Sequence, residues 1–334
     1  MADRPRDRKP IASTMVSEAP RWNQVVHSDG LVEGKGGLAD LASLWRGTRG
    51  YDTVILLGSV PLAKRYRDLV LAALLRWRRP RPRVILTDCT WAEGSATLAR
   101  RWPLLAPLLP ALHRSLVRAL DGPHVTYAVL SRAEAQEFPR RWRVDPERVV
   151  FTPFPSTVDP DTPRRYGDHA FAGGNSQRRH DLLEEALGDA PFTTVVASRW
   201  EPRRPSPSLR CGPVPHEEFV RLLAEARVVV VPLDDADGRS AGQQTYLNAM
   251  LLEKPVVVTD SIGVRDYIED GVTGVVVDAD PDALRAAVAD AMDPARAEHY
   301  RALGQRAREA VLARFTREHY FDEHLLGLAG FPTE

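Results

Sequence analysis

The stretch GRSAGQQTYLNAMLLEKPVVVTD, residues 238–260, runs from a glycine-bearing polar turn into a helical pattern that stops at Pro255, and a strand of three valines follows. Ser240, Gly242, Gln243, Gln244 and Thr245 open that helix. Unpaired backbone N–H groups and the positive end of the helix dipole favour an anion at such a start. Gly242 lets a ligand approach the backbone closely. The stretch holds no acid before Glu253, at the far end of the helix. A capped helix with Ser240 near its N-cap is the competing reading. A second constellation favours the anion site. FAGGNSQRRHDLLEEAL, residues 171–187, is a strand, a turn through Gly173 and Gly174, and two arginines just before a helix. Arg178 and Arg179 suit diphosphate oxygens, because a guanidinium grips a phosphate through two donors. A solvated basic turn is the rival here.

Two further residues have types and places suited to acid–base work. Asp88 in TDCTW, residues 87–91, follows an apolar run expected to be a strand, so it is expected at a carboxyl end, where ligands of such sheets sit. It suits contact with a hydroxyl or the role of a base, or else it caps a turn. His27, with Asp29 and the run GKGG at 34–37, has the same standing. No metal-ligand spacing is present, and the acidic run 234–237 reads as a polar loop. The basic residues are almost all arginine, with lysine only at Lys9, Lys35, Lys64 and Lys254. That disfavours Schiff-base chemistry, and Lys254 reads as structural.

The elements that position these residues follow from hydrophobic periodicity. Short apolar runs are expected as strands at 169–172, 193–197, 228–233, 256–259 and 275–278. They alternate with helical patterns at 180–187, 217–226, 243–252 and a stretch carrying Leu284, Val288 and Met292. Strands apolar throughout are buried on both faces, and alternation with helices makes the sheet parallel and doubly wound. The first half reads similarly, with strands at 23–27, 53–57, 84–87, 125–130 and 149–151 and helices at 38–45, 62–77, 108–120 and 132–142. The expected division is a disordered tail over 1–20, a first domain over 21–150 and a linker over 151–165. A second domain over 166–315 follows, then a helix over 316–334 that packs back toward the first domain. The linker segment carries four prolines and no helical period.

Composition sets outer bounds. A chain of 334 residues suits two domains, and a formal net charge of zero gives no reason to expect nucleic acid. Two cysteines, Cys89 and Cys211, are too few for a disulfide framework, which suits a reducing, cytoplasmic setting. No run of about 18 apolar residues is present. Six of the seven tryptophans fall in the first 150 residues, and the stretches 67–83 and 100–120 mix leucine, tryptophan and arginine. Such a face suits peripheral contact with an anionic membrane, although a core helix with an exposed arginine side is the rival.

In the second half, four blocks in order resemble the donor-binding half of GT-B glycosyltransferases, most nearly glycosyltransferase family 4 (group 1). They are FAGGNSQRRHDLL, CGPVPHEEFVRLLAEARVVVVPL (211–233), LNAMLLEKPVVVTD and GVRDYIEDGVTGVVVDADPDAL (263–284). The likeness covers about residues 171–315. It implies two Rossmann-like α/β domains facing a cleft, an acceptor-binding one over 21–150 and a nucleotide-sugar donor-binding one over 166–315. The implied reaction is metal-independent sugar transfer from a nucleotide-diphosphate sugar, with retention at the anomeric carbon and no cofactor. The implied acceptor is a lipid-linked glycan, a polysaccharide or a natural product. Gly173, Gly174, Arg178, Arg179 and the turn Ser240 to Thr245 would hold the donor, and the loop at Val214 would frame its base. Family members carry two glutamates eight residues apart around this turn, for the sugar and the ribose. Here the positions hold Ser240 and Asn248, so Asn248 is the expected ribose contact. Loss of both acids keeps two alternatives open, a non-catalytic nucleotide-binding partner and a sugar-nucleotide epimerase.

Overall fold

The computed structural model describes residues 10–32, 37–59, 67–91, 107–235 and 238–332. Residues 34–36 of the glycine-rich run, the start of the helix expected from 62, residues 100–106 of the second mixed stretch, and residues 236 and 237 of the acidic run lie outside the described residues. The chain divides into two compact units, one of residues 1–153 with 317–334, the other of residues 154–316.

The described residues of the first unit form a six-stranded parallel sheet. Its strands are β1 (Ile11–Ser13), β2 (Val26–His27), β3 (Thr53–Leu57), β4 (Arg83–Thr87), β5 (Val125–Val129) and β6 (Val149–Phe151), in the order β2-β1-β3-β4-β5-β6. Alternation along each strand sorts the side chains into two cores. Ala12, Val54, Leu56, Val84 and Leu86 face one, with Leu71, Leu75 and Leu120 from the covering helices. Ile11, Ile55 and Ile85 face the other, which is closed by Trp22, Tyr320, Leu325 and Leu326. The second cover thus comes from two chain segments about three hundred residues apart in sequence.

One buried carboxylate joins those segments. The helix Pro20–Val25 has no side-chain cap at Ala19. Asp322, on a π-helical turn His319–Leu325, supplies the cap from a distance. Its Oδ1 accepts from the Trp22 N–H at 2.7 Å and its Oδ2 from the Arg21 N–H at 3.2 Å. The negative charge also faces the positive end of the helix.

Two expectations fail in this unit. Residues 11–13 are an interior strand, not part of a disordered tail, because Ile11 and Ala12 fill both cores. Of the strand expected at 23–27 only Val26–His27 is extended, and residues 23–25 belong to a helix, since Pro20 starts a helix well and Asp322 completes it.

The second unit holds a second parallel sheet. Its strands are β7 (Ala170–Gly173), β8 (Thr194–Ala197), β9 (Leu209–Gly212), β10 (Val228–Val231), β11 (Val256–Thr259) and β12 (Val275–Val277), in the order β12-β11-β10-β7-β8-β9. The edge strand β9 was hidden in the sequence because LRCG is short and interrupted by an exposed arginine. The helix Gln243–Leu251 has eight of its nine residues buried, so it lacks an amphipathic stripe and is packed on all sides. The chain leaves it through Glu253, two residues on, a non-glycine residue at φ 58°. Arg164 and Arg308 pair with that carboxylate at 3.4 and 3.7 Å, and Gly304 of the helix Ala297–Arg314 touches its backbone so closely that a Cβ would lie 2.2 Å from the Glu253 carbonyl. Lys254 is fully buried, donates to the Arg165 carbonyl and lies over the Tyr166 ring at 4.2 Å. Residues 154–165 are therefore not a free linker, since Arg164, Arg165 and, further on, Tyr166 are anchored to this helix end.

Asp322→Ala removes a charged acceptor from the buried Trp22 N–H and the partly buried Arg21 N–H. It is expected to cost about 2–3 kcal/mol in urea unfolding of the first unit. Asp322→Asn, which keeps one acceptor, is expected to recover part of that loss.

Candidate functional site

The second sheet reverses direction between β7 and β10. The chain runs outward through β8 and β9, then returns to place β10 on the other side of β7. Loops leaving the carboxyl ends of strands separate at such a point and leave room for a ligand. The turns singled out in sequence are the two that leave β7 and β10.

Backbone bonds tie these turns together. Arg178 and Leu233 form an antiparallel bridge, the Arg179 N–H donates to the Pro232 carbonyl at 3.0 Å, and the Asp234 N–H donates to the Gln177 carbonyl at 3.2 Å. The first turn needs left-handed backbone at Gly174 (φ 106°) and at Gln177 (φ 49°). Glycine takes the first at no steric cost, whereas Gln177 is strained.

The Arg178 guanidinium spans the site. Its Nε donates to the Gly173 carbonyl at 3.1 Å, one terminal nitrogen to the Ser176 carbonyl at 2.7 Å, and the other to Thr245 Oγ1 at 3.2 Å. All three partners are neutral, and among the described residues Arg178 forms no ion pair. Burial pulls its pKa down to about 10, and the nearby Arg239 adds to the lowering. Arg239 reaches the same place, donating to Ser176 Oγ at 3.0 Å. Two guanidinium groups thus converge on Ser176, and positive charges held so close together suit an anion. Gly174 lies beneath, where a Cβ would come 2.9 Å from the Arg178 guanidinium.

Thr245 belongs to the first turn of the helix Gln243–Leu251, whose N-cap is Gly242 (φ 88°) with no capping side chain. A Cβ at Gly242 would lie 2.9 Å from Leu233, so glycine also permits this close approach. Gln243 is 5% exposed and its Nε2 has no partner. Both amide atoms of Gln177 are likewise buried and unpartnered. Ser240, just ahead of the helix, is buried. Gln244 is exposed and donates to Thr157 Oγ1 at 3.2 Å, and Val214 is half-buried in the loop after β9.

Two assignments need correction. Arg179 does not join Arg178, because its guanidinium meets Asp181 at 3.4 Å. Arg239, in the turn ahead of the helix Gln243–Leu251, takes that place through Ser176. Asn248 is not placed to bind a ribose. It is 2% exposed, and its single carbonyl oxygen accepts from Thr157 N at 2.8 Å, Ser156 Oγ at 3.0 Å and Val158 N at 3.3 Å. A carbonyl has two lone pairs, and this segment already uses them. Asp235 of the acidic run is also committed to structure, since it accepts from the Ile262 N–H at 3.0 Å and from the Ser261 hydroxyl. No group of three metal-ligating side chains occurs among the described residues.

In the first unit Asp88 stands one residue past β4 in a left-handed conformation, φ 52°. Burial raises its pKa to about 6, and a hydrogen bond from Tyr320 opposes that rise. His27 ends β2, its ring stacked on Tyr51 at 5.8 Å. The order β2-β1-β3-β4 puts three strand spacings, roughly 14 Å, between the two, so the structure does not pair them.

Known proteins agree with this architecture. Residues 203–293 match the family model for group 1 glycosyl transferases. The chain superimposes on a glycosyltransferase from Rickettsia africae ESF-5 with a TM-score of 0.59 at 11% identity, covering 97% of this chain and 89% of that one. Sucrose-phosphate synthase from Thermosynechococcus elongatus gives 0.62 at 16% identity, covering 87% and 77%. HepE of Anabaena, in complex with UDP-glucose, gives 0.62 at 13% identity, covering 93% and 87%. No curated protein matches the sequence. At these identities the structural likeness establishes the fold, the two-sheet α/β architecture of GT-B glycosyltransferases. Within it, the segment 203–293 is similar to the group 1 glycosyl transferases.

Asn248→Leu leaves the N–H groups of Thr157 and Val158 without their acceptor. Unfolding should become easier by about 2–3 kcal/mol, while nucleoside-diphosphate affinity by calorimetry stays within about twofold. A large affinity loss without loss of stability would restore Asn248 as a ligand contact.

Proposed function

We propose that the protein transfers a sugar from a nucleoside-diphosphate sugar to an acceptor hydroxyl, with retention at the anomeric carbon. The observation that carries this reading is the partly buried Arg178, with neutral partners and Arg239 beside it at the start of a buried helix. An isolated desolvated cation is costly, and a diphosphate would neutralise it. The same arrangement serves the transition state, in which negative charge grows on the departing diphosphate. In this reading Arg178, Arg239 and the N–H groups of the turn Gly242 to Thr245 take the leaving group, and Gly173 and Gly174 allow it to lie close. Ser240, Gln243 and Gln244 supply polar contacts to the donor, and the loop at Val214 frames the base. Asp88 accepts from a sugar or acceptor hydroxyl, and His27 lines the acceptor side. The nucleotide sugar is a substrate, and the reading calls for no further cofactor.

The acceptor side of the reading includes an anionic membrane surface. Trp77 is 75% exposed and Leu74 39%, with Arg79, Arg81, Arg114 and Arg118 exposed around them. Arg76, just past the helix Arg67–Leu75, ties it to the helix Leu109–Leu120 by donating to the carbonyls of Arg118 and Ala119 at 3.3 Å. Burial, helped by Arg81, Arg76 and Arg148, lowers the His124 pKa to about 4. A tryptophan amid arginines suits the headgroup region, and a lipid-linked glycan would be the acceptor met there. No helix of the described residues is long and apolar enough to cross a membrane. We place the reaction in the cytoplasm, where the thiols of Cys89 and Cys211 stay reduced.

Titration with UDP, GDP and ADP tests the donor site. Arg178→Ala and Arg239→Ala should each weaken the preferred nucleotide roughly 10- to 100-fold, the effect of one lost charge-assisted contact. Arg179→Ala should change it less than about threefold. Equal affinity in all three variants sinks the donor-site assignment. Vesicle co-sedimentation tests the membrane face: binding should require anionic lipid, fade with added salt and drop with Trp77→Ser. Binding absent at low salt makes the acceptor a soluble one.

A further inference from the structure

The C-terminal segment does more than close a core. Tyr320, 2% exposed, packs edge-on against Phe321 with ring centroids 5.1 Å apart and lies among Ile11, Ile55 and Ile85. Its hydroxyl emerges at the carboxyl end of the sheet and donates to Asp88 Oδ1 at 2.9 Å, across 232 residues of sequence. The segment itself is anchored two residues on, where Asp322 holds the backbone of Arg21 and Trp22. Asp88 is anchored from the other side, because the Cys89 N–H donates to the Ala128 carbonyl of β5 at 3.0 Å. The carboxylate is thus held in an uncommon backbone conformation by two independent rigid supports, which is characteristic of a functional position. Oδ2 keeps its capacity to accept.

We propose that Tyr320 is a positioning residue of the transfer reaction: its hydroxyl fixes the Asp88 carboxylate at the end of β4 and leaves Oδ2 to accept a sugar or acceptor hydroxyl. This rests on the transferase reading above. The groups that face Asp88 among the described residues are the Tyr320 phenol and the Cys89 thiol, with Glu134 of the helix Arg132–Trp142 facing that thiol in turn. None of these is a cation, so the phenol's hydrogen bond is what favours the charged carboxylate against burial. A chain lacking Tyr320 would hold Asp88 more loosely and protonate it at higher pH.

Tyr320→Phe deletes the hydroxyl and keeps the packing ring. The Asp88 carboxyl can be followed by carbon NMR in aspartate-labelled protein, its signal assigned by its loss in Asp88→Asn. In the wild type it should titrate near pH 6. In Tyr320→Phe the midpoint should rise by about one pH unit. The acidic limb of kcat/KM for nucleoside-diphosphate release from the donor should rise with it. A midpoint that does not move overturns the proposal. So does a midpoint that moves while the rate profile stays in place, because Asp88 then has no part in transfer. Tyr320→Leu, which disturbs packing as well, should lower the melting temperature more than Tyr320→Phe. Equal melting losses would mark the hydroxyl as a stability element only. A wild type inactive with every donor and acceptor overturns the transferase reading itself, and the NMR midpoint still reports separately whether the Tyr320–Asp88 bond is made.

Discussion

The second unit depends on one constraint: a partly buried guanidinium with no carboxylate to meet it among the described residues. Arg178 does not satisfy its charge there, because its three hydrogen bonds go to two carbonyls and a hydroxyl. Nearly everything around it serves to hold it in place. The bridge to Leu233 fixes its backbone, Gly174 leaves the space its side chain needs, and Thr245 ties it to the helix start. A carboxylate partner would add stability but would occupy the site. The arrangement instead keeps an electrostatic deficit that an anionic ligand repairs. That is the form in which binding energy can be directed at a leaving diphosphate.

The absence of the two family glutamates has a structural reading at one position. Asn248 binds the segment 156–158 with its carbonyl oxygen and uses its amide to reach Thr157. A neutral acceptor suits this place, because the helix around it is buried and an ionised side chain there would need compensation. The residue has become part of the frame that carries the helix. Ligand recognition at the turn then falls to groups nearer the helix start. There the unpartnered amides of Gln177 and Gln243 are buried polar groups that a dry protein interior would disfavour.

The first unit follows a different principle. Its sheet is covered on one face by two segments from opposite ends of the sequence, and Asp322 makes them one element. The same segment carries Tyr320 to Asp88, so the stability of the cover and the setting of the carboxylate are linked. The strand Ile11–Ser13 lies in the sheet beneath this cover, paired on both sides, with Ile11 fully buried against it.

The sequence by itself determined the alternation of strands and helices, the parallel doubly wound sheets, and the two polar turns at strand ends. These depend on local periodicity and on glycine, which a single stretch of chain displays. It also showed the start and stop of the helix from Gln243, and a cation next to a glycine turn. Tertiary structure decided which arginine joins Arg178, that Asn248 faces a chain segment rather than a ligand, and that Asp88 is met by Tyr320. It also decided that β1 and β9 are strands, since three or four residues carry too little pattern of their own and form strands because a neighbour offers its open edge. Hydrogen-bond partners ninety, sixty or two hundred residues apart leave no periodic trace in a sequence. They arise only when the sheets have brought their loops to one edge.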